Sequence, residues 1–312
     1  MQCNALPSKL LDNIDKVNRD FLWGSSETGK KMHWVGWQKI TRPKSEGGLG
    51  LHTAKGRNLS LLAKLNWRFK TEKDALWSKV LKSKYCTRQR LNAINPTKLP
   101  CSRVWSAMRK GEDIFRKGVS WVAGRDSELS FWYDKWCSIG PIRSLVQGPL
   151  SIEEEKLRVK DVVSADGWNW SRISIPIPES ISNILIATPV SLATRGEDRL
   201  AWGKSTHGGF ELKSAYQIAT GNEVAPFSGQ WVWKVNILPR IQTFVWMCLH
   251  SSIGVKECLA KRGVLVDPAC PLCLADSESI IHALRDCSKV REFWTQLGAE
   301  EVNSSFFSGN LH

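Results

Sequence analysis

Nowhere does this chain carry an apolar run approaching the ~20 residues that cross a bilayer; the densest, Phe244 to Leu249, is six long. Its first twenty residues, MQCNALPSKLLDNIDKVNRD, scatter charges where a secretory signal needs an apolar stretch, so an intracellular protein is expected. The phosphate-cradling patterns G-x-x-x-x-G-K-[ST] and G-x-G-x-x-G are missing, as is the G-x-S-x-G nucleophile elbow. None of His33, His52, His207, His250, His282 and His312 has a Glu two residues on, which excludes the H-x-E arrangement of a zinc deaminase. No Asp-Asp pair occurs, although two-metal chemistry needs clustered carboxylates. Glu153-Glu154-Glu155 reads as a solvated turn at a helix start, where the dipole favours acids. Asp134 and Asp198 stand alone beside tryptophans and suit turns or packing. No compact basic run of five to eight residues marks a nuclear address. An enzyme is not expected, nor a small-molecule substrate or a membrane partner.

What is present is a globular composition. Of the 312 residues, 42% are hydrophobic and 24% charged, which excludes disorder throughout and suggests about two domains. Nine cysteines, an odd number without an export signal, argue against a disulfide framework.

Charge is unevenly spread. Residues 1–150 hold 28 basic and 12 acidic side chains, a net of +16, whereas residues 151–312 hold 16 and 18, a net of −2. Such asymmetry points to an anionic partner for the first half. Within 55–90 lie eleven Lys/Arg against Glu72 and Asp74 alone. Lys64, Arg68, Lys70, Lys73, Lys79, Lys82, Lys84, Arg88 and Arg90 are the candidate phosphate contacts. Trp67, Phe69, Trp77 and Tyr85 lie among them as rings that could stack bases, so RNA or an RNA–DNA duplex is the expected partner. The alternative is a helical pair with Lys-rich solvated faces and its rings in the core.

Leu10, Leu11, Ile14, Val17, Phe21 and Leu22 recur at helical spacing over 8–22, with Gly24 as the stop. Residues 25–57 read as irregular or hairpin-like. Helices are expected over 57–70 and over about 76–81, the second capped by Thr71 and Asp74, and then around 101–116. Polar turns between β-prone runs predict hairpins at 121–132 and 199–212. The stretch 137–198 reads as a link with one short helix after a Ser151/Glu154 capping box, and 213–220 turns helical. Pro239 opens a helix to 249 with Ile241, Phe244, Val245 and Cys248 on one side, and a further short helix ends at Gly263. The expected fold is mainly α with short β-hairpins (α+β), ending in a small zinc-knuckle-like helical module. Expected boundaries are a basic helical region at 1–118, a hairpin-rich link at 119–225, a metal module at 226–298 and a tail at 299–312.

One constellation is chemically specific. Cys270 and Cys273, then His282 and Cys287, give C-x2-C-x8-H-x4-C. A tight turn can aim both cysteines at one ion, and a short helix carrying the His and Cys can close the other side. Three thiolates and an imidazole select zinc over Mg²⁺ or Ca²⁺. Four protein ligands leave no open position, so one structural Zn²⁺ is expected. Core cysteines with a surface histidine are the alternative, and Cys258 and His250 are nearby spare donors whose places suit packing.

The order FLWG (21–24), W-x-x-I (37–40), RPKSEGGLGL (42–51), LLAKLNWRF (61–69), LWSKVLKSKY (76–85), FWYDKW (131–136), GGFELKSAY (208–216), WKVNILPRIQTFVW (233–246) and CPLC…H…C resembles plant LINE-type non-LTR retroelement polyproteins. The similarity covers roughly 7–298, the stretch after the reverse transcriptase palm, ending in the reverse-transcriptase zinc-binding domain. It implies Cys270, Cys273, His282 and Cys287 as metal ligands and Trp233, Phe244, Trp246 and Trp294 as packing residues. The resemblance also implies a thumb- or connection-like basic region and a reverse transcriptase core as a possible partner. The catalytic Asp-Asp pair would lie upstream of residue 1, and the 25 residues after Cys287 are too few for a ribonuclease H domain. Gly124-Arg125-Asp126 replaces the family's Gly-Asp-Gly-like turn, and Leu284 stands where a Phe is usual. The implied function is non-catalytic nucleic-acid binding by an accessory region. The alternatives are a protein-docking module and a truncated remnant without function.

Overall fold

A computed structural model describes residues 1–26, 28–86, 100–124, 126–164, 167–188, 197–221, 227–296 and 306. In chain order the helices begin with α1 (Ser8–Trp23), α2 (Trp37–Ile40), α3 (Ala54–Thr71), α4 (Leu76–Tyr85) and α5 (Arg103–Gly118). Strand β1 (Val119–Val122) precedes α6 (Ile152–Glu155), α7 (Val159–Val162), β2 (Val163–Ser164), β3 (Gly167–Trp168) and α8 (Glu179–Ala187). Then come β4 (Arg199–Trp202), α9 (Leu212–Thr220), α10 (Pro239–Leu249), α11 (Lys256–Ala260) and α12 (Ser288–Gln296). The fold is mainly helical with two small antiparallel strand pairs, as the sequence predicts. Among the described residues no helix is long and apolar enough to cross a membrane.

The chain forms two compact units, residues 1–10 with 54–222, and residues 11–53 with 223–312.

In the first unit, α3 and α5 pack along each other, and Ala63, Ile114, Phe115, Ala215 and Trp202 make one core. Trp202 is fully buried; its indole meets Trp67 edge-on at 6.3 Å and lies 4.6 Å from the Phe210 ring. Its Nε1–H donates to Ser214 Oγ at 2.8 Å, so the one polar atom of the ring is satisfied. At Gly118 any Cβ would run into that indole, so glycine is required where α5 passes into β1. Phe69, Leu65 and Met108 form a smaller core with Trp77 and Trp105 beside it.

Neither predicted hairpin forms. Val119–Val122 pairs antiparallel with Arg199–Trp202, putting Val119 opposite Trp202. The polar turn after β1 is closed instead by the Asp198 carboxylate, which accepts from the Gly124 and Glu128 N–H groups, each at 3.1 Å. A partner some eighty residues away leaves no local signal, and a polar turn between two β-prone runs looks the same in either pairing. Arg125, in the predicted turn, lies outside the described residues.

The stretch expected to be a link has a core of its own. Phe131, Trp132, Trp136, Ile142, Val159, Val162 and Leu185 are all buried in one cluster. Trp132 donates its Nε1–H to the Glu154 carbonyl at 2.8 Å and Trp136 to the Phe131 carbonyl at 3.0 Å. Prolines and short elements hide its periodicity, because indoles rather than aliphatic stripes fill the space.

Glu154 corrects the reading of the acidic run as a solvated turn. Ser151 caps α6 as expected, and both halves of the capping box are present. Yet Glu154 is buried between exposed Glu153 and Glu155, and its carboxylate accepts from Ser151 N–H at 2.9 Å and Ser174 N–H at 2.6 Å. These bonds, Ser151 foremost, hold its pKa down to about 2, below the ordinary 4.5. Its contribution is full above 4.5 and lost as pH falls from there towards 2. Urea midpoints should therefore drop for the wild type between pH 5 and 2.5, and Glu154→Gln should show a weaker drop over that window.

In the second unit Val35, Ile40, Val232 and Trp246 form a buried cluster. The carbonyl of Gly47 accepts from Trp246 Nε1 at 2.8 Å and lies 2.7 Å from His250 Nε2. A Cβ at the next residue, Gly48, would overlap the Arg42 carbonyl oxygen, so the glycine pair lets 42–48 fold back on itself where a hairpin was one expectation. Cys248, Ile253, Val255, Cys258 and Ile280 form a separate small core, so Cys258 serves packing, while the His250 ring stacks on Phe227 at 5.1 Å. The cap expected from Thr71 and Asp74 is absent; Ala75 is the N-cap of α4, with no side-chain bond.

Candidate metal centre

All nine cysteines are free thiols. The ligand atoms of Cys270, Cys273, His282 and Cys287 lie within 4.8 Å of one another, the one such group among the described residues. Cys270 Sγ and Cys287 Sγ are 3.9 Å apart, and Cys273 Sγ is 3.3 Å from His282 Nε2. A tetrahedral zinc with bonds near 2.3 Å to sulfur sets its sulfurs about 3.8 Å apart, so the spacing fits one ion. Cys270, His282 and Cys287 are buried and Cys273 is half-buried, so four donors enclose a point that water reaches poorly.

Each donor is placed by local backbone. The Cys270–Cys273 turn is pinned by Cys270 N–H to the Asp276 carbonyl at 2.8 Å and Leu274 N–H to the Cys270 carbonyl at 3.0 Å. Leu274 takes a left-handed φ of 58°, which lets the following amides turn back on the sulfur. The Ala275 and Asp276 N–H groups hold the Cys273 thiol down to about 6, and Cys270 is lowered chiefly by the Cys273 N–H. Burial pushes Cys287 up, against the Lys289 and Val290 N–H groups at the start of α12. Burial also opposes a charged His282, but the Cys270 and Cys273 sulfurs outweigh it and its pKa rises. Asp276 stands 3.9 Å from His282 Nδ1, on the side away from the sulfurs, where a carboxylate orients a ligand imidazole.

The short α-helix expected to carry His282 and Cys287 is instead a π-helical turn over His282–Asp286, closed by Cys287 N–H to the His282 carbonyl at 3.0 Å. In an α-helix five residues turn the direction about 140° past a full revolution. The wider π-turn returns the residue five positions on, Cys287, to the side of His282. The sequence carries no sign of this turn, nor of the left-handed Leu274, since leucine rarely marks positive φ.

Of the candidate phosphate contacts, Lys64, Arg68, Lys70, Lys73, Lys79 and Lys84 are exposed and Lys82 half-buried; Arg88 and Arg90 lie outside the described residues. Arg68 pairs with Glu72 through two bonds of 2.6 and 3.0 Å, and Lys79 lies 3.6 Å from Asp74. The rings are packing residues rather than stacking platforms. Phe69 is buried, Tyr85 stacks on Trp105 at 4.7 Å and Trp67 faces Trp202 and Phe210. Phe244, expected to pack, is 40% exposed, whereas Trp246 is fully buried.

Residues 210–294, which include all four donors, match the family described as zinc-binding in reverse transcriptase. That match, with the likeness to two plant proteins, supports a plant retroelement polyprotein region. The chain aligns over its full length at 33% identity with the Arabidopsis thaliana protein named "Putative ribonuclease H protein", and spans 51% of that relative. Over 137 residues, 44% of the chain, it is 28% identical to "Uncharacterized mitochondrial protein" of the same plant, covering 88% of it. No solved structure matches. The zinc-binding domain is not a catalytic one, so 210–294 is an accessory module.

Proposed function

We propose that this is a non-catalytic, zinc-stabilised, nucleic-acid-binding accessory region of a LINE-type non-LTR reverse transcriptase polyprotein. The observation that carries it is the closed set of Cys270, Cys273, His282 and Cys287, four soft donors around one point with no vacancy for a substrate. When bound, one Zn²⁺ would tie the 270–273 turn to the start of α12. The functional boundaries are 1–118 for the thumb- or connection-like region, 119–225 between, 226–298 for the zinc module and 299–312 for the tail, in an intracellular setting that keeps the thiols reduced.

Lys64, Arg68, Lys70, Lys73, Lys79, Lys82, Lys84, Arg88 and Arg90 would meet the phosphates of RNA or an RNA–DNA duplex. With the rings packed inside, recognition would come from the backbone charge and carry little sequence preference. Reversal to Glu at Lys79, Lys82 and Lys84 should weaken single-stranded RNA binding about 100-fold near 0.1 M salt and flatten the log–log salt slope by about 2. Filter binding across a salt series measures both, and unchanged retention would remove the reading.

A second reading rests on one observation. Trp231, Val235, Ile237, Leu238, Ile241 and Phe244 are all exposed along the approach to α10 and its first turns, an apolar patch of the kind that marks a docking site. A reverse transcriptase core is the partner it would suit. Nuclease-resistant capture of such a core, lost on Phe244→Asp, supports docking, whereas no capture by the wild type sinks it.

A further inference from the structure

β1, the residues around Lys135, the end of α8 and the turn after β4 enclose a cleft of about 590 Å³ within the first unit. That is the size of a small-molecule site. Its wall carries two lysines, Lys135 and Lys204, three hydroxyls, from Ser120, Ser138 and Thr188, and the half-buried indole of Trp121. No carboxylate lines it among the described residues.

The backbone fixes the two cations side by side. Trp121 N–H donates to the Lys135 carbonyl at 2.7 Å, and Gly203 N–H donates to the Gly118 carbonyl at 2.8 Å, so both lysines hang from the β1–β4 pair. Lys135 Nζ spends one hydrogen on the Lys117 carbonyl, at 3.0 Å, and keeps two. Burial, and then repulsion from Lys204, depress the Lys135 pKa, as expected of a cation whose charge nothing in the cleft offsets. An anion seated between the two ammonium groups would relieve both effects.

We propose that this cleft binds a nucleotide unit by its phosphate, with Lys135 and Lys204 as the charge partners, the Ser120 and Ser138 hydroxyls as further donors and the Trp121 ring against the base. A phosphomonoester with close to two negative charges matches two lysines, whereas a carboxylate matches one. Stacking on a single indole requires no particular base. The phosphate could belong to a free mononucleotide or to the 5′-phosphorylated end of a strand. The site is separate from the α3–α4 face, and its failure leaves the proposal for that face intact.

The test uses the full chain and three probes by calorimetry: adenosine 5′-monophosphate, adenosine, and a 5′-phosphorylated single-stranded oligoadenylate. To keep the α3–α4 face from contributing, the oligonucleotide arm is run in the Lys79/Lys82/Lys84→Glu background. The wild type should bind the monophosphate at least tenfold more tightly than adenosine, and Lys204→Gln should remove that advantage. Lys135→Gln should do the same; because Lys135 also bonds the end of α5, exposed Lys204 is the variant that decides if Lys135→Gln fails to fold. Lys204-dependent binding of the monophosphate identifies a free nucleotide as the source, and dependence for the oligonucleotide alone identifies a strand. The inference is overturned if neither phosphorylated probe binds, or if both bind equally well to Lys204→Gln.

Discussion

Chelation of the purified chain is expected to release about one zinc per molecule and to unfold residues 268–296 while the Trp202 core stays intact. The segment has little else to hold it: Leu272 and Leu274 face solvent, and the Cys248–Ile280 core it touches is small. In small zinc modules, metal binding contributes on the order of 10 kcal/mol, and that energy is folding energy. Hydrogen exchange should show loss of protection at Cys270, Leu274 and Cys287, whose amides make the pinning bonds, and the environment of Trp294, bonded to the Leu284 carbonyl at 2.9 Å, should change. Cys273→Ser should copy the chelated state without any chelator. Zinc-free protein with full protection at those amides would end the structural-metal reading.

Trp202→Ala should cost about 3–5 kcal/mol, the range for deleting a large buried ring. That is a sizeable share of the stability of a typical domain, so the first unit should denature at much lower urea. The ring fills the angle between α3, α5 and α9, and its loss also leaves the Ser214 hydroxyl without its indole donor. Ser214→Ala keeps the ring and removes one hydrogen-bond partner, so it should cost only about 1 kcal/mol. Similar midpoints for both variants would mean that the space closes around the missing indole.

The helices were legible because their signals are local. Apolar residues at spacings of three and four mark α3, and Pro239 marks the first turn of α10. The four metal donors were legible for another reason: thiols and an imidazole at such spacing have few other uses. What escaped is decided at long range or by backbone angle. The pairing of Trp121 with Leu200 joins residues whose intervening chain gives no hint of the match. The aromatic residues 67–85 alternate with cations at a spacing that serves a core and a nucleic-acid face equally well, and only the presence of α5 and α9 decides for the core. Phe244 shows the converse limit, since helical periodicity finds an apolar face without saying whether anything covers it.

The π-turn ahead of α12 makes register, more than residue identity, the constraint on this stretch. Ala283 and Leu284 pack against the Cys248–Ile280 core and Arg285 pairs with Asp286, but the place of the Cys287 thiol is set by the number of residues that separate it from His282. Deleting one of the four would leave the two donors four positions apart, and ordinary α-helical winding then returns the thiol to the side of His282, since four steps turn about 400°. Inserting one would swing the thiol away from the other three donors. In drifting copies of such a sequence, an insertion between His282 and Cys287 should therefore be more damaging than the loss of one residue there.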